Sequence, residues 1–377
     1  MDGTEQNDSF GAELCRVCGK RYIDRNSGNP EEFMCRECRK EFSKLRVPKW
    51  MTACVAVAVI AAVVMCVYLV SAFGEYHSIG KKAVAEREDV LRTAQEMAES
   101  GKQWSALGTI EEYLQDNPTN RDMAMEGTRM AMKYGLYDYA AYFIQNYISE
   151  KTSTRGEIRE INGYVDKINR YYDTGDAIQA VFDGLAEIDA ESMSEAEIEQ
   201  LRQSIRDRIL NFTKDKQYDE GLAYISAAYY ASADEEEAKE YLLKAADFPT
   251  AAPEACGRLA VYERQRGDFS KAEEWIKKGE AVNGENTELA RAKATILLAK
   301  GEYEAALPIS EEIYSLAPDY MYVADTYAVN LYALGMTDKM EEIISKAAET
   351  NYEFAEDFYQ LINGEISVRE YYVSEEE

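Results

Sequence analysis

The longest uniform feature of the hydropathy pattern is an apolar run near the N-terminal end of the chain. It extends from Trp50 to Phe73, contains no charged residue, and has Lys49 and Glu75 as its nearest flanking charges. At 1.5 Å per residue, a helix of this length measures about 36 Å, which exceeds the hydrocarbon thickness of about 30 Å. Because a lone span must satisfy its backbone hydrogen bonds internally, the run predicts one transmembrane helix.

Two alternatives for this run are a buried core helix and a cleaved export signal. A core helix of this length would carry a polar face, and this run has none. An export signal would have a shorter apolar stretch that ends at a small-x-small cleavage site. We therefore favour a membrane span at residues 50–73.

After residue 75 the apolar positions recur with helical spacing, and the chain resembles itself every 34 residues. Glycines mark this period at Gly101 and Gly135, and again at Gly267, Gly301 and Gly335. Each glycine lies between two predicted amphipathic helices, where a left-handed backbone conformation is favoured. Small residues follow five positions after four of these glycines, at Ala106, Ala140, Ala272 and Ala306. The pattern predicts a stack of helical hairpins.

These residues resemble the tetratricopeptide repeat family. The best-matching segment is AKGEYEAALPISEEIYSLAPD, from Ala299 to Asp319, and the segments at 257–282 and 133–147 are similar. The resemblance implies an all-α fold, a solenoid of helical hairpins that acts by binding. Six units are in phase, at residues 87–120, 121–154, 219–252, 253–286, 287–320 and 321–354.

The middle of the chain breaks this phase. The distance from Ala140 to Ala238 is four residues short of three periods. Helices are predicted near 156–173, 176–189 and 194–214, and three helices cannot form whole hairpin pairs. We therefore expect an irregular segment at 155–218 between two arrays of repeats.

Four cysteines ahead of the span follow the pattern C-x2-C-x16-C-x2-C, at Cys15, Cys18, Cys35 and Cys38. Two such pairs can converge on one tetrahedral zinc ion. Gly19 and a run of turn formers predict two short hairpins, an arrangement that resembles a zinc ribbon. We expect one structural zinc ion, because four cysteine ligands imply no open catalytic position. Redox or disulfide chemistry is the alternative, which a reducing compartment disfavours.

The net charge of -28 is distributed unevenly. Residues 1–50 are nearly balanced, with ten Lys and Arg against nine Asp and Glu, and the excess of acid follows the span. Six Lys and Arg residues lie shortly before the span and three shortly after it, which predicts a cytoplasmic N-terminus and repeats outside the cytoplasm. A bacterial cell membrane is the setting we favour. Phosphates would be repelled by the acidic part, so a nucleic acid partner is not expected.

The sequence thus predicts a series of segments in chain order. They are a disordered segment (1–12), a zinc ribbon (13–42), a basic linker (43–49), the membrane span (50–73), a juxtamembrane segment (74–86), repeats (87–154), an irregular helical segment (155–218), further repeats (219–354), and a capping helix with an acidic tail (355–377).

No enzyme class is indicated by the sequence. The only histidine is His77, at the predicted lipid boundary, and neither a nucleophile–base arrangement nor a glycine-rich phosphate loop is present. Two functions remain. The first is a membrane-anchored scaffold that binds a protein or peptide outside the cytoplasm. The second is a signalling or regulatory protein whose cytoplasmic ribbon reports on binding by the repeats.

The family resemblance also implies where a partner would bind. In such repeats the first helix of each unit lines a concave groove, through the second, fifth, ninth, twelfth and thirteenth positions. The corresponding residues here include Met125, Arg129, Lys133, Arg264, Arg291, Tyr322, Asp325 and Tyr332. Their Arg and Lys side chains suit a carboxylate or an acidic peptide. The alternative is that these cations only pair with neighbouring glutamates on the same helix.

Overall fold

The computed structural model describes residues 14–23, 34–42, 49–148, 153–183, 193–231, 235–349 and 353–373. The chain divides into two compact units, Met1–Ala83 and Val84–Glu377. The segment predicted to be disordered, 1–12, lies outside the described residues, as do residues 43–48 of the predicted linker.

Within these ranges, helices are the only extended regular elements, and an isolated bridge pairs Leu14 with Tyr22. In chain order the helices are α1 (Arg36–Phe42), α2 (Lys49–Glu99), α3 (Gln103–Asp116), α4 (Arg121–Lys133), α5 (Tyr137–Tyr147), α6 (Arg155–Asp183), α7 (Glu195–Phe212), α8 (Glu220–Tyr230), α9 (Glu235–Ala245), α10 (Ala252–Gln265), α11 (Phe269–Asn283), α12 (Thr287–Lys300), α13 (Tyr303–Leu316), α14 (Met321–Ala333), α15 (Thr337–Glu349), α16 (Glu356–Ile362) and α17 (Val368–Tyr372).

Helix α2 contains the predicted span and is the one candidate membrane-spanning helix in the described part of the chain. Its apolar side chains, such as those of Val63 and Phe73, are exposed. The helix continues through Gly74 and Gly80, where the sequence predicts an exit from the membrane before a new helix near residue 82. A glycine costs a helix interior only about 1 kcal/mol, which a long helix tolerates.

Five glycines in the second unit adopt the left-handed conformation that their 34-residue spacing predicts. They are Gly101, Gly135, Gly267, Gly301 and Gly335, with φ between 70° and 91°. After each of them, the next residue donates its N–H to the carbonyl oxygen five residues earlier, as Glu302 does to Leu297 at 2.8 Å. This is the hydrogen bond that closes a helix before a left-handed glycine. The next helix starts within two residues of the glycine.

Small side chains let consecutive helices of the second unit approach closely. The four alanines that follow the glycines by five residues are all fully buried. Larger buried residues form three apolar clusters around them: an N-terminal core that includes Phe143, a middle core that includes Leu259, and a C-terminal core that includes Leu298 and Phe358. The apolar periodicity of the sequence thus marks the buried faces of these helices.

Within its described residues, 155–183 and 193–218, the irregular middle segment joins two of the predicted helices; residues 184–189 of the second prediction lie outside the described residues. The predicted helices at 156–173 and 176–189 are joined in α6, which continues through Gly175 to Asp183. The hydroxyl of Thr174 donates to the carbonyl oxygen of Arg170 at 2.6 Å and accepts the N–H of Asp219 at 2.7 Å. These contacts hold the helix intact where the sequence Thr-Gly-Asp favours a turn.

Candidate functional site

The four cysteines of the N-terminal motif lie together, with all their Sγ atoms within 4.8 Å of one another. The first pair is held in a turn, because Cys15 donates its N–H to Arg21 O at 2.7 Å and Gly19 donates to Cys15 O at 2.8 Å. Of the second pair, Cys35 precedes α1 and Cys38 lies in its first turn. The sequence predicts a second hairpin here, and the structure has a helix instead. The motif thus folds into a turn and a helix that present four thiols to one point.

The dimensions of this cluster fit a metal ion. Sulfur ligands placed tetrahedrally about 2.3 Å from a zinc ion would be about 3.8 Å apart, and Cys18 Sγ and Cys35 Sγ are 3.9 Å apart. All four thiols are free, since a disulfide would bring two sulfur atoms to about 2.05 Å. Cys15 and Cys35 are buried, so the cluster has a protected interior. The four cysteines can therefore bind a metal ion.

Backbone amides around the cluster favour a thiolate at one of its positions. Burial opposes ionisation of Cys15, but hydrogen bonds from the backbone of Cys18, Cys35 and Val17 outweigh it and lower the pKa of that thiol to about 6. The surrounding thiols, first that of Cys35, raise the pKa of Cys38 to about 12. Negative charge thus concentrates on Cys15, as suits a ligand for a cation.

The first part of the predicted groove holds an open cavity of about 300 Å³. Met123 and Met125 of α4 form its buried apolar floor. Charged side chains from α2, α4 and α6 surround that floor, at Arg87, Glu88, Asp122, Glu126, Arg129 and Glu157. The flexible methionine side chains at the bottom of this cavity, surrounded by positively and negatively charged residues, suit a side chain of a bound peptide.

Arg129 forms the best-defined contacts of this rim. Its guanidinium makes a two-pronged ion pair with Glu160, with Nε–Oε1 at 2.8 Å and Nη2–Oε2 at 3.0 Å. It also contacts Glu126 of its own helix at 2.7 Å. The hydrogen bonds to Glu160 raise the pKa of Arg129 and lower that of Glu160. Arg129 is therefore a permanently charged and oriented group that remains partly exposed.

The second part of the predicted groove brings together four of the residues selected from the sequence. Arg264 lies on α10, Arg291 on α12, and Tyr322 and Asp325 on α14. The guanidinium carbon of Arg291 lies 5.5 Å from the centre of the Tyr322 ring, and its ion pair with Glu288 measures 2.6 Å. Burial opposes the charge of Arg291, but the Glu288 carboxylate outweighs burial and raises its pKa.

Helix α17 covers Arg264 and Asp325 of this cluster, a contact that the repeat pattern does not predict, while Tyr322 stays half-exposed. The hydroxyl of Tyr371 donates to Asp325 Oδ1 at 2.6 Å, and the guanidinium carbon of Arg264 lies 4.8 Å from the centre of the Tyr372 ring. Burial raises the pKa of Asp325 to about 6, although the hydrogen bond from Tyr371 opposes that rise. A signal was present in the sequence, because Ser367 and Glu370 have the spacing of a helix-starting capping box.

The remaining two predicted residues lie apart from these groups. Lys133 is exposed, and its Nζ donates to the hydroxyl of Tyr134 at 3.0 Å. Tyr332 is partly buried against the C-terminal core. The eight positions therefore fall into an open cavity at α4, a partly covered cluster across α10, α12 and α14, and two separate side chains.

Comparison with known proteins adds no relative: no protein-family model matches the sequence, and no curated protein matches it significantly.

Proposed function

We propose that this protein is a single-pass, membrane-anchored scaffold whose tetratricopeptide-type repeats bind a protein or peptide partner outside the cytoplasm. No catalytic role is part of this proposal. The chain is held in a cell membrane, bacterial in our interpretation, with its N-terminal cysteine module in the cytoplasm. The partner is a protein or a peptide; neither a nucleic acid nor a small-molecule substrate is expected.

The observation that carries the proposal is the recurring helix–glycine–helix unit. Five left-handed glycines, each accompanied by the same backbone hydrogen bond, recur every 34 residues within two groups, Gly101 with Gly135 and Gly267 with Gly301 and Gly335. Repeats of this length bury their apolar faces against other repeats and leave helix surfaces free for binding. In this chain contacts are not limited to sequential neighbours, since Gly284 in the fourth repeat donates its N–H to Gln103 in the first at 3.0 Å. A scaffold built this way acts through its surface residues.

The membrane part of the proposal rests on α2 and its flanking charges. Exposed apolar side chains such as Val59, Val63 and Leu69 would be unfavourable in water and are matched to a lipid environment. The excess of Lys and Arg before the span favours a cytoplasmic N-terminus. The helical repeats, which follow the span, then lie on the other side of the membrane, outside the cytoplasm.

We assign one structural zinc ion to Cys15, Cys18, Cys35 and Cys38. Four thiolates complete a tetrahedral shell and leave no position for a substrate, which is typical of structural sites. When bound, zinc would hold the first turn and α1 together, since the described part of this module has only a small apolar interior. The cytoplasm keeps such thiols reduced.

The cavity above Met125 is the entrance of the groove that we propose for the partner. Arg129 is held in place by Glu160, and its guanidinium can offer remaining N–H donors to a carboxylate on an incoming peptide. The rim of this cavity carries two cations, Arg87 and Arg129, among four carboxylates, so it suits one carboxylate placed at Arg129 rather than a run of acidic residues.

Reversing the charge of Arg129 should abolish partner capture without unfolding the repeats. The side chain is 40% exposed and its ion pairs with Glu126 and Glu160 are partly solvated. Arg129→Glu loses both pairs and brings three carboxylates together, so it should cost about 2 kcal/mol of stability, which leaves the repeats folded. Arg159→Glu is the matched control, because Arg159 is exposed on α6 and does not line the cavity. Crosslinking in native membranes, followed by purification and mass spectrometry, compares the partners of both variants with the wild type.

The expected result is one or more proteins retrieved by the wild type and Arg159→Glu but lost with Arg129→Glu. Circular dichroism should give the same helical signal for all three proteins. Identical partners at identical yield for all three would exclude the cavity as the binding site.

Transmembrane signalling is the second candidate function. The observation that favours it is the continuity of α2, which is unbroken from Lys49 to Glu99 and so includes both the span and the first helix of the repeat unit. In that case the cysteine module would report on partner binding. A cytoplasmic protein that contacts the module only when the repeats are occupied would favour signalling over a scaffold.

A further inference from the structure

Helix α17 is too short to be stable by itself. It has five residues and begins with a capping box, in which Glu370 donates its N–H to Ser367 Oγ at 3.2 Å and accepts the Ser367 N–H at 2.7 Å. An isolated helix needs about 12–15 residues to be even marginally stable in water. The contacts that α17 makes with other helices must therefore hold it in its conformation.

Those contacts cross several of the helices that line the predicted groove. Tyr371 reaches Asp325 on α14, Tyr372 lies under Arg264 of α10, and the helix packs along α12. The guanidinium of Arg369 lies 5.4 Å from the centre of the Phe269 ring at the start of α11. A short helix with two consecutive aromatic residues thus occupies the place where a peptide ligand of the groove would lie.

The fit between α17 and the groove is incomplete at Arg264. This side chain is only 5% exposed, and its Nε and Nη1 atoms are buried without a hydrogen-bond partner among the described residues. An aromatic ring face attracts the guanidinium but satisfies none of its N–H donors. Leaving charged donors buried and unsatisfied is costly, so this contact is weaker than one that also supplies a carboxylate.

We propose that α17 is a displaceable internal ligand that occludes the groove until a partner segment replaces it. The segment it fits carries adjacent aromatic residues, which fill the places of Tyr371 and Tyr372, and a carboxylate, which pairs with Arg264. This inference rests on the proposed binding function and specifies its ligand and its control. Binding is then a competition in which the partner gains the ion pair that α17 lacks.

A synthetic peptide with the sequence of residues 365–377, EISVREYYVSEEE, is a direct probe because it carries both aromatic residues and several carboxylates. The full chain that ends after Gly364 should bind the labelled peptide, measured by fluorescence anisotropy in detergent. Binding to the intact chain should be at least about ten-fold weaker, because its own α17 competes at a high effective concentration. A peptide with Tyr371→Ala and Tyr372→Ala should not bind the shortened chain.

Hydrogen exchange on the intact chain tests the same idea without removing any residue. The amides of Tyr371 and Val373 donate within α17, to Ser367 O and Arg369 O. If α17 is displaceable, they should exchange at least about 100-fold faster than amides in the middle of α12, because only local opening is required.

Two results would overturn the proposal. One is a folded shortened chain that fails to bind the peptide, or binds it no better than the intact chain does. The other is exchange of the α17 amides at the same rate as those of α12, which would make α17 a permanent part of the fold; if the shortened chain unfolds, this exchange rate decides. Neither result involves Arg129. Loss of partner capture by Arg129→Glu would therefore still support the proposed binding function if α17 proved to be a permanent part of the fold.

Discussion

Replacing Cys35 by serine should remove the metal ion and unfold the N-terminal module, the largest single effect that we expect in this chain. Structural zinc contributes on the order of 10 kcal/mol to the folding of small modules. Cys35 is a buried member of the four-thiol cluster, where a hydroxyl would be a poor ligand. Elemental analysis should give about one zinc ion per wild-type chain and less than half of that for Cys35→Ser.

The matched control is Cys54→Ser. Cys54 is an exposed, free thiol in α2 and takes no part in the cluster, so its loss should leave the zinc content unchanged. Alkylation in native buffer provides a second measurement, since bound thiols are protected. A wild-type chain with less than half an equivalent of zinc and all four motif thiols open to alkylation would contradict the assignment. Zinc should also be released as the pH falls, because protons compete for the thiolates.

The second large effect is expected at Gly135, where alanine should destabilise the second unit by about 3 kcal/mol or more. Gly135 has a φ of 71°, which alone costs an alanine about 1–2 kcal/mol. In addition, a Cβ atom on Gly135 would lie 2.5 Å from the carbonyl carbon of Pro249 and 2.7 Å from the Thr250 nitrogen. Since both neighbours are backbone atoms, they cannot rotate away as a side chain would.

Gly301→Ala separates the conformational cost from the steric one. Gly301 has the same role in its repeat and a similar φ of 80°, but a Cβ there would have no neighbour within 4 Å. This variant should lose only the conformational cost, about 1–2 kcal/mol. Urea unfolding followed by circular dichroism measures both variants. Equal losses would show that residues 249–250 do not approach Gly135 as described.

Features that depend on local chemistry were predictable from the sequence. The left-handed glycines follow from a strict spacing between amphipathic helices, and the four-cysteine cluster follows from two C-x2-C pairs. The candidate membrane-spanning helix follows from length and lack of charge alone. In each case the relevant residues are close in sequence or repeat with a fixed period, so pattern and structure coincide.

Features that depend on distant contacts were not predictable. The Tyr371–Asp325 hydrogen bond joins residues 46 apart, and no periodic signal connects them. Gln103 accepts the N–H of Gly284 at 3.0 Å across 181 residues, which brings the first and later repeats together. The contact of Arg264 with the Tyr372 ring likewise depends on the position that the chain takes after α16. Which distant residues meet is determined by how all the helices of the second unit pack together.

The central claim is that one span separates the metal-binding module from the helical repeats that bind the partner. Impermeant maleimide labelling of intact cells tests it most directly, with single cysteines introduced by Glu41→Cys in α1 and Lys277→Cys in α11, both at exposed positions. The wild-type chain supplies the background of its seven native cysteines: Cys256 is buried, Cys54 and Cys66 lie in the candidate span, and the four motif thiols are protected when they bind zinc. We expect Lys277→Cys to be labelled on intact cells and Glu41→Cys only after permeabilisation. Labelling of Glu41→Cys on intact cells, with Lys277→Cys protected, would contradict it.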